Sequence, residues 1–264
     1  MSLFFIIRVF FRLFLWIGNY GNIISVILLY IFVYHNLDKP SYGICVRNNS
    51  DAVRSLNRGI IYQERGYEII PSRDYSEYLY IPSDLIELKG KKFHSKRNFI
   101  NGFNYQYEFR TYQESDREEL FELLYKWSYL HIEKGVEWSE EDNWHSHVVL
   151  QKIKSDPEIR AIAAVIDDLE GYNCFADVLK IDGKIVGFAL GEILPTNIGA
   201  LYFEKGDIDY KGIYPVLDNL FCKKHFGGVK YINKQEDMGL EGLRKSKLSY
   251  NPIKLAERFI AKKV

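Results

Sequence analysis

Glu204 stands where a predicted strand ends, and its carboxylate could take a proton from an attacking group. It follows the apolar run 199–203, so the sheet would hold its side chain in place. A carboxylate in that position could act as general base on a hydroxyl or an amine. It could equally be paired with Lys205 or Lys180, which would give it a structural role. We treat Glu204 as the first candidate catalytic residue.

Asp237 is the second candidate catalytic residue. It follows the predicted strand 230–233, which ends at Asn233, and its neighbour is Glu236. Either carboxylate could bind a substrate amino group, with Asn233 beside it. Asp237 could instead be the N-cap of the helix predicted over 240–248, because Asp readily accepts the free backbone N–H groups of a first helical turn.

A strongly basic segment lies ahead of the region with regular strands and helices. Six basic side chains fall within nine positions: Lys89, Lys91, Lys92, His94, Lys96 and Arg97. Five are permanent cations, enough to bind the phosphates of tRNA or of a lipid headgroup. The alternative is a solvated helix face, with Glu87 weakening the field. The candidate binding residues of this segment are Lys92, His94, Lys96, Arg97 and Asn98.

A second basic group lies on the predicted helix 240–248. Arg244 and Lys247 are three positions apart and share a helix face. Lys245 can instead pair with Glu241, four positions before it. We therefore add Arg244 and Lys247 to the candidate substrate-binding residues.

No metal site is expected. His145 and His147 are two positions apart, so a helix would point them to different faces, and neither they nor His131 have a cysteine or an ordered carboxylate to complete a ligand set. The cysteines are odd in number and far apart, which indicates free thiols in a reducing compartment rather than disulfides: Cys45, Cys174 and Cys222.

Composition limits the class of protein. The 264 residues include 35 Lys and Arg against 35 Asp and Glu, so bulk charge attracts neither nucleic acid nor anionic lipid, and any such partner would need a local patch. Hydrophobic residues reach 47%, which excludes a wholly disordered chain and supplies a sizeable core. The aromatic content of 16% favours sheets with packed cross-strand pairs.

The order of predicted elements indicates a mixed α/β fold. Before residue 105 the pattern predicts turns at 48–51 and 71–74, a short helix at 52–57, a strand at 77–81, a helix start at 82–84 and a basic helix over 89–103. A capping box of Ser115 and Glu118 predicts the start of a helix with an apolar face, whose members recur at helical spacing: Leu120, Leu123, Leu124, Trp127 and Leu130. Asp182-Gly183 predicts a tight hairpin. The remaining elements are strand 107–112, helices 120–130, 139–154 and 159–169, strands 174–181, 184–193 and 199–204, helix 214–224, strand 230–233, helix 240–248 and a final segment 253–261. That is the order of elements in the N-acetyltransferase-like (GNAT) fold.

The N-terminal stretch 13–34 carries no charge and is long enough for a membrane helix. Two Gly and two Asn lie within 16–22, however, and the truly apolar remainder 23–34 is too short to span a bilayer. We expect a hairpin of buried strands within 13–47, with 41–47 as its second strand. A membrane anchor through 13–34 and a signal peptide are the alternatives. The free thiols favour a cytoplasmic protein.

Three stretches carry a resemblance to a known family: 88–98, 202–214 and 232–252. They resemble a bacterial family of uncharacterised proteins related to the C-terminal catalytic domain of phosphatidylglycerol lysyltransferases. The resemblance is specific from about residue 67 to the end. It implies two fused GNAT-like halves, a shortened one over 1–104 and a complete one over 105–264.

The resemblance implies a transferase that takes an aminoacyl ester from the acceptor end of tRNA, with a lipid or a small hydroxyl or amine compound as acceptor. The membrane surface is then a possible partner, no cofactor is expected, and the oligomeric state is open. Acetyl-CoA is not favoured, because the loop that would hold its pyrophosphate has one glycine and a repelling Asp209. This loop adds Tyr210, Gly212 and Tyr214 to the candidate binding residues. The alternative is a catalytically silent GNAT-like module that binds a small ligand or a partner.

Overall fold

The computed structural model describes residues 44–47, 67–131 and 147–263. The chain divides into two compact units, the first comprising Met1–Tyr80 with Asn233–Val264 and the second Ile81–Ile232. The strands are β1 Ile44–Arg47, β2 Tyr67–Tyr80, β3 Tyr107–Thr111, β4 Phe175–Ile181, β5 Lys184–Leu194, β6 Ile198–Gly206, β7 Tyr231–Asn233 and β8 Lys254–Lys263. The helices are α1 Pro82–Glu87, α2 His94–Asn101, α3 Arg117–His131, α4 His147–Lys154, α5 Pro157–Ile166, α6 Ile213–His225 and α7 Glu241–Leu248. The expected mixed α/β, GNAT-like fold class is confirmed. The division into a shortened GNAT-like half over 1–104 and a complete one over 105–264 stays a prediction.

In the first unit, β8 lies between β1 and β2 and is antiparallel to both. The pairing with β2 is interrupted, since Ser72 lies opposite Arg258 while Glu77 lies opposite Ala256. The turn predicted at 71–74 is therefore wrong: the strand begins at Tyr67 and absorbs this polar stretch as an irregularity in its register. Of the predicted hairpin, only β1 is described, and it pairs with β8; residues 13–43 lie outside the described part.

In the second unit, β6, β5, β4 and β3 form consecutive antiparallel pairs. The predicted tight turn is confirmed: Asp182 and Gly183 have φ values of 51° and 77° and connect β4 to β5. Helix α6 lies close against the sheet because Gly187 on β5 and Gly206 on β6 have no side chain. A Cβ at Gly206 would come within 2.9 Å of Ile213, in the first turn of α6, so this glycine sets how near that turn approaches the end of β6.

Helix α3 confirms the predicted apolar periodicity but not its predicted cap. Leu120 and Leu124 are fully buried, whereas Leu130 is exposed. The observed capping box is one of Gln113 and Asp116 around a short 3-10 turn ahead of the helix. The predicted box of Ser115 and Glu118 is wrong because that turn moves the start of regular helix to Arg117.

Helices α5, α6 and α7 agree with the sequence prediction within a few residues, whereas the turn predicted at 48–51 and the helix predicted at 52–57 lie outside the described residues. Helix α5 begins after Asp156, whose carboxylate accepts the Glu158 backbone N–H, and it ends at Ile166, before the predicted limit of 169. The predicted start of the preceding helix at Ser139 lies outside the described residues. In the described ranges, every helix is too short or too polar to cross a bilayer.

Asp116 gives a pH-dependent prediction for the second unit. Arg110 holds its carboxylate with two hydrogen bonds of 2.6 and 2.7 Å, assisted by the Gln113 N–H, and these lower the pKa of Asp116 from 3.8 to about 2. A carboxylate with a depressed folded-state pKa contributes stability above its unfolded pKa and loses it as pH falls through the folded value. We therefore expect Asp116→Asn to lower the free energy of unfolding by about 2 kcal/mol at pH 7 and by little at pH 2.

Urea unfolding at pH 7, 4 and 2 measures this difference. Asp182→Asn is the matched control, because an Asn-Gly pair suits the same hairpin turn. An Asp116→Asn deficit that is equal at all three pH values would contradict the electrostatic explanation.

Candidate functional site

The Tyr214 hydroxyl lies beside the end of β6, in the first turn of α6. The Trp127 Nε1–H donates to it at 2.9 Å, and the hydroxyl donates to the Gly206 carbonyl oxygen at 3.4 Å. The close approach permitted by Gly206 thus brings the phenol next to the strand that carries Glu204. Burial, assisted by the Glu204 charge, raises the pKa of Tyr214, so its hydroxyl is protonated at neutral pH.

Glu204 is half-buried on β6. Both lysines considered as its partners make ion pairs with other carboxylates. Lys205 Nζ lies 2.9 Å from Glu158, and Lys180 Nζ lies 2.8 Å from Glu119. The Glu204 charge contributes to raising the pKa of Tyr214 and opposes the lowering of the pKa of Lys205, and its catalytic role stays a prediction.

Trp127, which holds the phenol, is itself fixed between two side chains. The Lys205 ammonium lies 3.2 Å from the centre of the Trp127 ring, and the His131 ring stacks on Trp127 with centroids 4.1 Å apart. Burial lowers the pKa of Lys205, although Glu158 opposes this effect.

The loop ahead of α6 packs against α2. Gly212 has φ of 96°, and a Cβ there would meet the Phe99 carbonyl oxygen at 3.0 Å. Helix α2 therefore lies against the start of α6. Asp209 pairs with Lys126 at 3.0 Å, and Tyr210 makes an edge-on ring contact with Tyr105.

The predicted basic helix is shorter than expected, and part of its charge is used locally. A 3-10 turn covers Lys91–Phe93 and α2 begins only at His94. Lys92 pairs with Asp84 at 2.7 Å. Arg97 donates to the carbonyl oxygens of Leu88 and Gly90, which gives it a structural role.

The other candidates of this segment lie on the same helix. Asn98 lies 3.2 Å from the ring nitrogen Nε2 of His94, and Lys96 is half-buried. The binding roles predicted for Lys92, His94, Lys96, Arg97 and Asn98 stay predictions.

In the first unit, Asp237 is fully buried at the centre of a polar cluster. Its two oxygens accept from the Arg73 guanidinium, the Tyr78 hydroxyl, the Gly239 N–H and two nitrogens of Arg244. These hydrogen bonds outweigh burial and hold the pKa of Asp237 far below its usual range. A carboxylate has about four lone pairs, so five contacts leave no acceptor for a substrate amino group.

Asp237 is not the N-cap of the following helix. That position belongs to Leu240, whose backbone N–H bonds to the Asp237 carbonyl oxygen at 2.9 Å, and the helix begins at Glu241. The N-cap interpretation is wrong because the chain makes a further turn, with Met238 and Gly239 both at positive φ, before the helix starts.

Three further candidates lie in the same unit. Asn233 donates to Glu77 at 2.8 Å and accepts the Gln235 N–H, and Glu236 is buried. The Lys247 ammonium donates to the Lys234 carbonyl oxygen.

The structure thus places the candidates in two groups. The second unit contains the basic helix and four further candidates: Glu204, Tyr210, Gly212 and Tyr214. The first unit contains Asn233, Glu236, Asp237, Arg244 and Lys247.

The sequence pattern does not indicate two sets of residues that position these candidates. They are Trp127 and Lys205 in the second unit and Arg73, Asp74 and Tyr78 in the first.

Only faint signals could have revealed them. Trp127 falls on the apolar face of the helix predicted over 120–130, and the stretch 71–74 predicts a turn. An indole, unlike Leu, brings a donor that needs a partner when buried.

Within the described ranges, no group of three His, Cys, Asp or Glu side chains could hold a metal ion. His145 lies outside those ranges. Cys222 is buried and Cys174 is half-buried, and both are free thiols.

Comparison with known proteins identifies the family. The profile described as phosphatidylglycerol lysyltransferase, C-terminal, matches residues 53–262. An uncharacterized protein of Mycoplasmoides gallisepticum is 27% identical over 187 residues, which cover 71% of this chain and 56% of that protein. The chain thus spans about half the length of this curated relative.

Two crystal structures resemble the chain. A conserved protein of unknown function from Bacteroides thetaiotaomicron is 28% identical, with a TM-score of 0.69 over 94% of this chain and 77% of its own. A domain described as the C-terminal domain of a lysylphosphatidylglycerol synthetase from Agrobacterium fabrum shares the fold at 15% identity. Its TM-score is 0.55, and the match covers 91% of this chain and 73% of that domain. The match over 53–262 establishes that the chain belongs to the phosphatidylglycerol lysyltransferase C-terminal family.

Proposed function

We propose that this protein is an acyltransferase that moves an aminoacyl group from an ester on tRNA to a hydroxyl or amine acceptor. Family membership supports a transferase. The observation that carries the proposal is the placement of the protonated Tyr214 hydroxyl within the electrostatic reach of Glu204, where β6 meets α6. A carboxylate whose charge acts on a neutral phenol supplies an acceptor of protons, and the phenol supplies a donor.

The reaction needs two proton transfers. As the acceptor oxygen or nitrogen bonds to the ester carbonyl carbon, its proton passes to Glu204. The bond from that carbon to the ribose oxygen then breaks, and the leaving oxygen takes a proton from Tyr214. The proton on Glu204 restores the phenol directly or through water, so the site returns to its starting state. Aminolysis of an ester is intrinsically easy, so positioning of the two substrates also contributes to the rate.

The contact between α2 and α6 supports a donor other than acetyl-CoA. A pyrophosphate bound in the GNAT manner needs free backbone N–H groups at a helix N-terminus. At the start of α6, the Phe99 carbonyl oxygen lies where a side chain of residue 212 would project, and the Ile213 N–H bonds to Tyr210. The Ile213 N–H is therefore not free to bind a pyrophosphate.

The first unit supports the reaction by position rather than by proton transfer. The Asp237 carboxylate is saturated with donors and has a strongly depressed pKa. A group of that kind is a poor base at neutral pH. We assign Asp237, with Arg244, the role of fixing the chain between β7 and α7.

Incubation of the purified chain with radiolabelled aminoacyl-tRNAs tests the proposal. Bacterial lipids and small amines are supplied as acceptors. We expect label to leave tRNA for an organic-soluble or small-molecule product, which identifies the acceptor class. If a folded chain releases no label from any aminoacyl-tRNA, the transferase assignment is overturned and a ligand-binding module takes its place.

A further inference from the structure

A cavity of about 400 Å³ lies in the second unit, between α2 and the loop ahead of α6. It is lined by Ser95, Asn98, Phe99, Gly102 and Lys211. We propose that this cavity binds a nucleotide, with the base against the Phe99 ring and the phosphate at the Lys211 ammonium. The nucleotide would be the 3′ end of the donor tRNA. Only this identification of the nucleotide rests on the proposed function.

The aromatic surface at the cavity suits a stacked base. Phe99 is 39% exposed although it is a large apolar side chain. A chain of ring contacts lies nearby, from Phe103 to Tyr105 at 4.9 Å and from Tyr105 to Tyr210 at 5.1 Å, and Tyr105 is also 41% exposed. Exposed rings next to cationic side chains are the usual means of binding single-stranded nucleic acid without a fixed sequence.

The polar side chains that line the cavity match the edge of a base. Ser95 supplies a hydroxyl, and Asn98 supplies an amide that can accept two hydrogen bonds and donate two. One amide hydrogen is directed to His94, at 3.2 Å. A small concave site with an apolar ring and a few hydrogen-bonding groups indicates a small planar ligand rather than a flat membrane surface.

The charge at the cavity suits a phosphate. Among the described residues Lys211 makes no ion pair, and its side chain is exposed. The acids of the same loop are compensated, since Lys126 lies 2.8 Å from Asp207 and 3.0 Å from Asp209. Lys211 is the cationic side chain that lines the cavity, and it can hold an anion there.

Binding of AMP to the full chain, measured by calorimetry, tests the site without any catalysis. We expect Phe99→Ala to weaken AMP binding by about 5- to 150-fold, the equivalent of one lost base stack. Phe99→Leu keeps apolar volume but removes the aromatic face, so it should also bind weakly. Lys211→Gln should weaken AMP but leave adenosine binding unchanged. Lys223→Gln, an exposed lysine in the last turn of α6, is the matched control and should bind like the parent chain.

Competition distinguishes the two sources of a nucleotide. If deacylated tRNA displaces AMP and tRNA without its terminal adenosine does not, the ligand is the tRNA 3′ end. If neither tRNA competes, the site is one for free nucleotides. Equal AMP binding by the parent chain, Phe99→Ala and Lys211→Gln, or none by any of them, overturns the site. AMP binding without acyl transfer would instead overturn the proposed function alone.

Discussion

Glu204→Gln is expected to reduce the rate of acyl transfer by about 10²- to 10⁴-fold, the usual contribution of a positioned general base. Glutamine keeps the size of the side chain and its place on β6, but it cannot accept the proton of the attacking group. The loss should therefore appear in kcat, with little change in the KM for aminoacyl-tRNA. Single-turnover transfer of labelled aminoacyl groups measures this effect directly.

The matched control is Glu170→Gln, an exposed carboxylate of the same unit. It should transfer at the parent rate, and both variants should unfold at the parent denaturant concentration. A Glu204→Gln variant with the parent kcat would show that positioning alone drives the reaction, since ester aminolysis needs no dedicated base.

Tyr214→Phe separates the donor from the base. Removing the hydroxyl leaves the Trp127 Nε1–H without its acceptor, so a stability loss of about 1–3 kcal/mol should accompany any loss of rate. Trp127→Phe removes the donor and keeps the Tyr214 hydroxyl. If Tyr214→Phe loses far more rate than Trp127→Phe at comparable stability, the phenol acts on substrate rather than on packing.

The sequence predicts the second unit well because its signals are local. The Asp182-Gly183 turn requires two residues at positive φ, and Asp-Gly adopts that geometry readily, so the pairing of β4 with β5 follows from neighbouring residues. The apolar period of α3 likewise defines its buried face. Each of these predictions depends on fewer than about 15 consecutive residues.

The Asp237 cluster could not be predicted in the same way. Arg73 and Asp237 are separated by 164 positions, and their contact depends on an interruption in the register between β2 and β8. Polar residues such as Arg73 and Asp74 indicate a turn when only their neighbours are considered. Only the pairing of β2 with β8 shows that this stretch is a strand whose bulged residues reach Asp237 and Arg244.

The largest stability effect is expected from Asp237→Asn, which should lower the free energy of unfolding by about 2–3 kcal/mol. The substitution removes a fully buried acceptor of charged hydrogen bonds, while the partly exposed guanidinium groups that remain can be solvated. Here Arg73 and Arg244 would both face an amide that also brings its own donors. Asp74→Asn is the matched control: this carboxylate also bonds to Arg244 but is largely exposed, so its loss should cost at most about 1 kcal/mol.

The sign of the pH dependence follows from the depressed pKa of Asp237. A carboxylate with a folded-state pKa below its unfolded value of about 3.9 contributes its full stability at neutral pH and loses it as pH falls below about 4. The difference between the parent chain and Asp237→Asn should therefore shrink in acid. Urea unfolding at pH 7 and pH 3 measures it, and hydrogen exchange of β2 and β8 should locate the weakening in the first unit.

A deficit of the same size for Asp74→Asn and Asp237→Asn would contradict this account, because it would mean that burial adds nothing to the pairing. The transfer assay then shows what the cluster does for function. Asp237 cannot serve as a base while five donors contact its carboxylate, so at temperatures where Asp237→Asn remains folded its loss should raise KM more than it lowers kcat. A larger effect on KM than on kcat would show that Asp237 positions the chain. Loss of Glu204 should instead act on kcat.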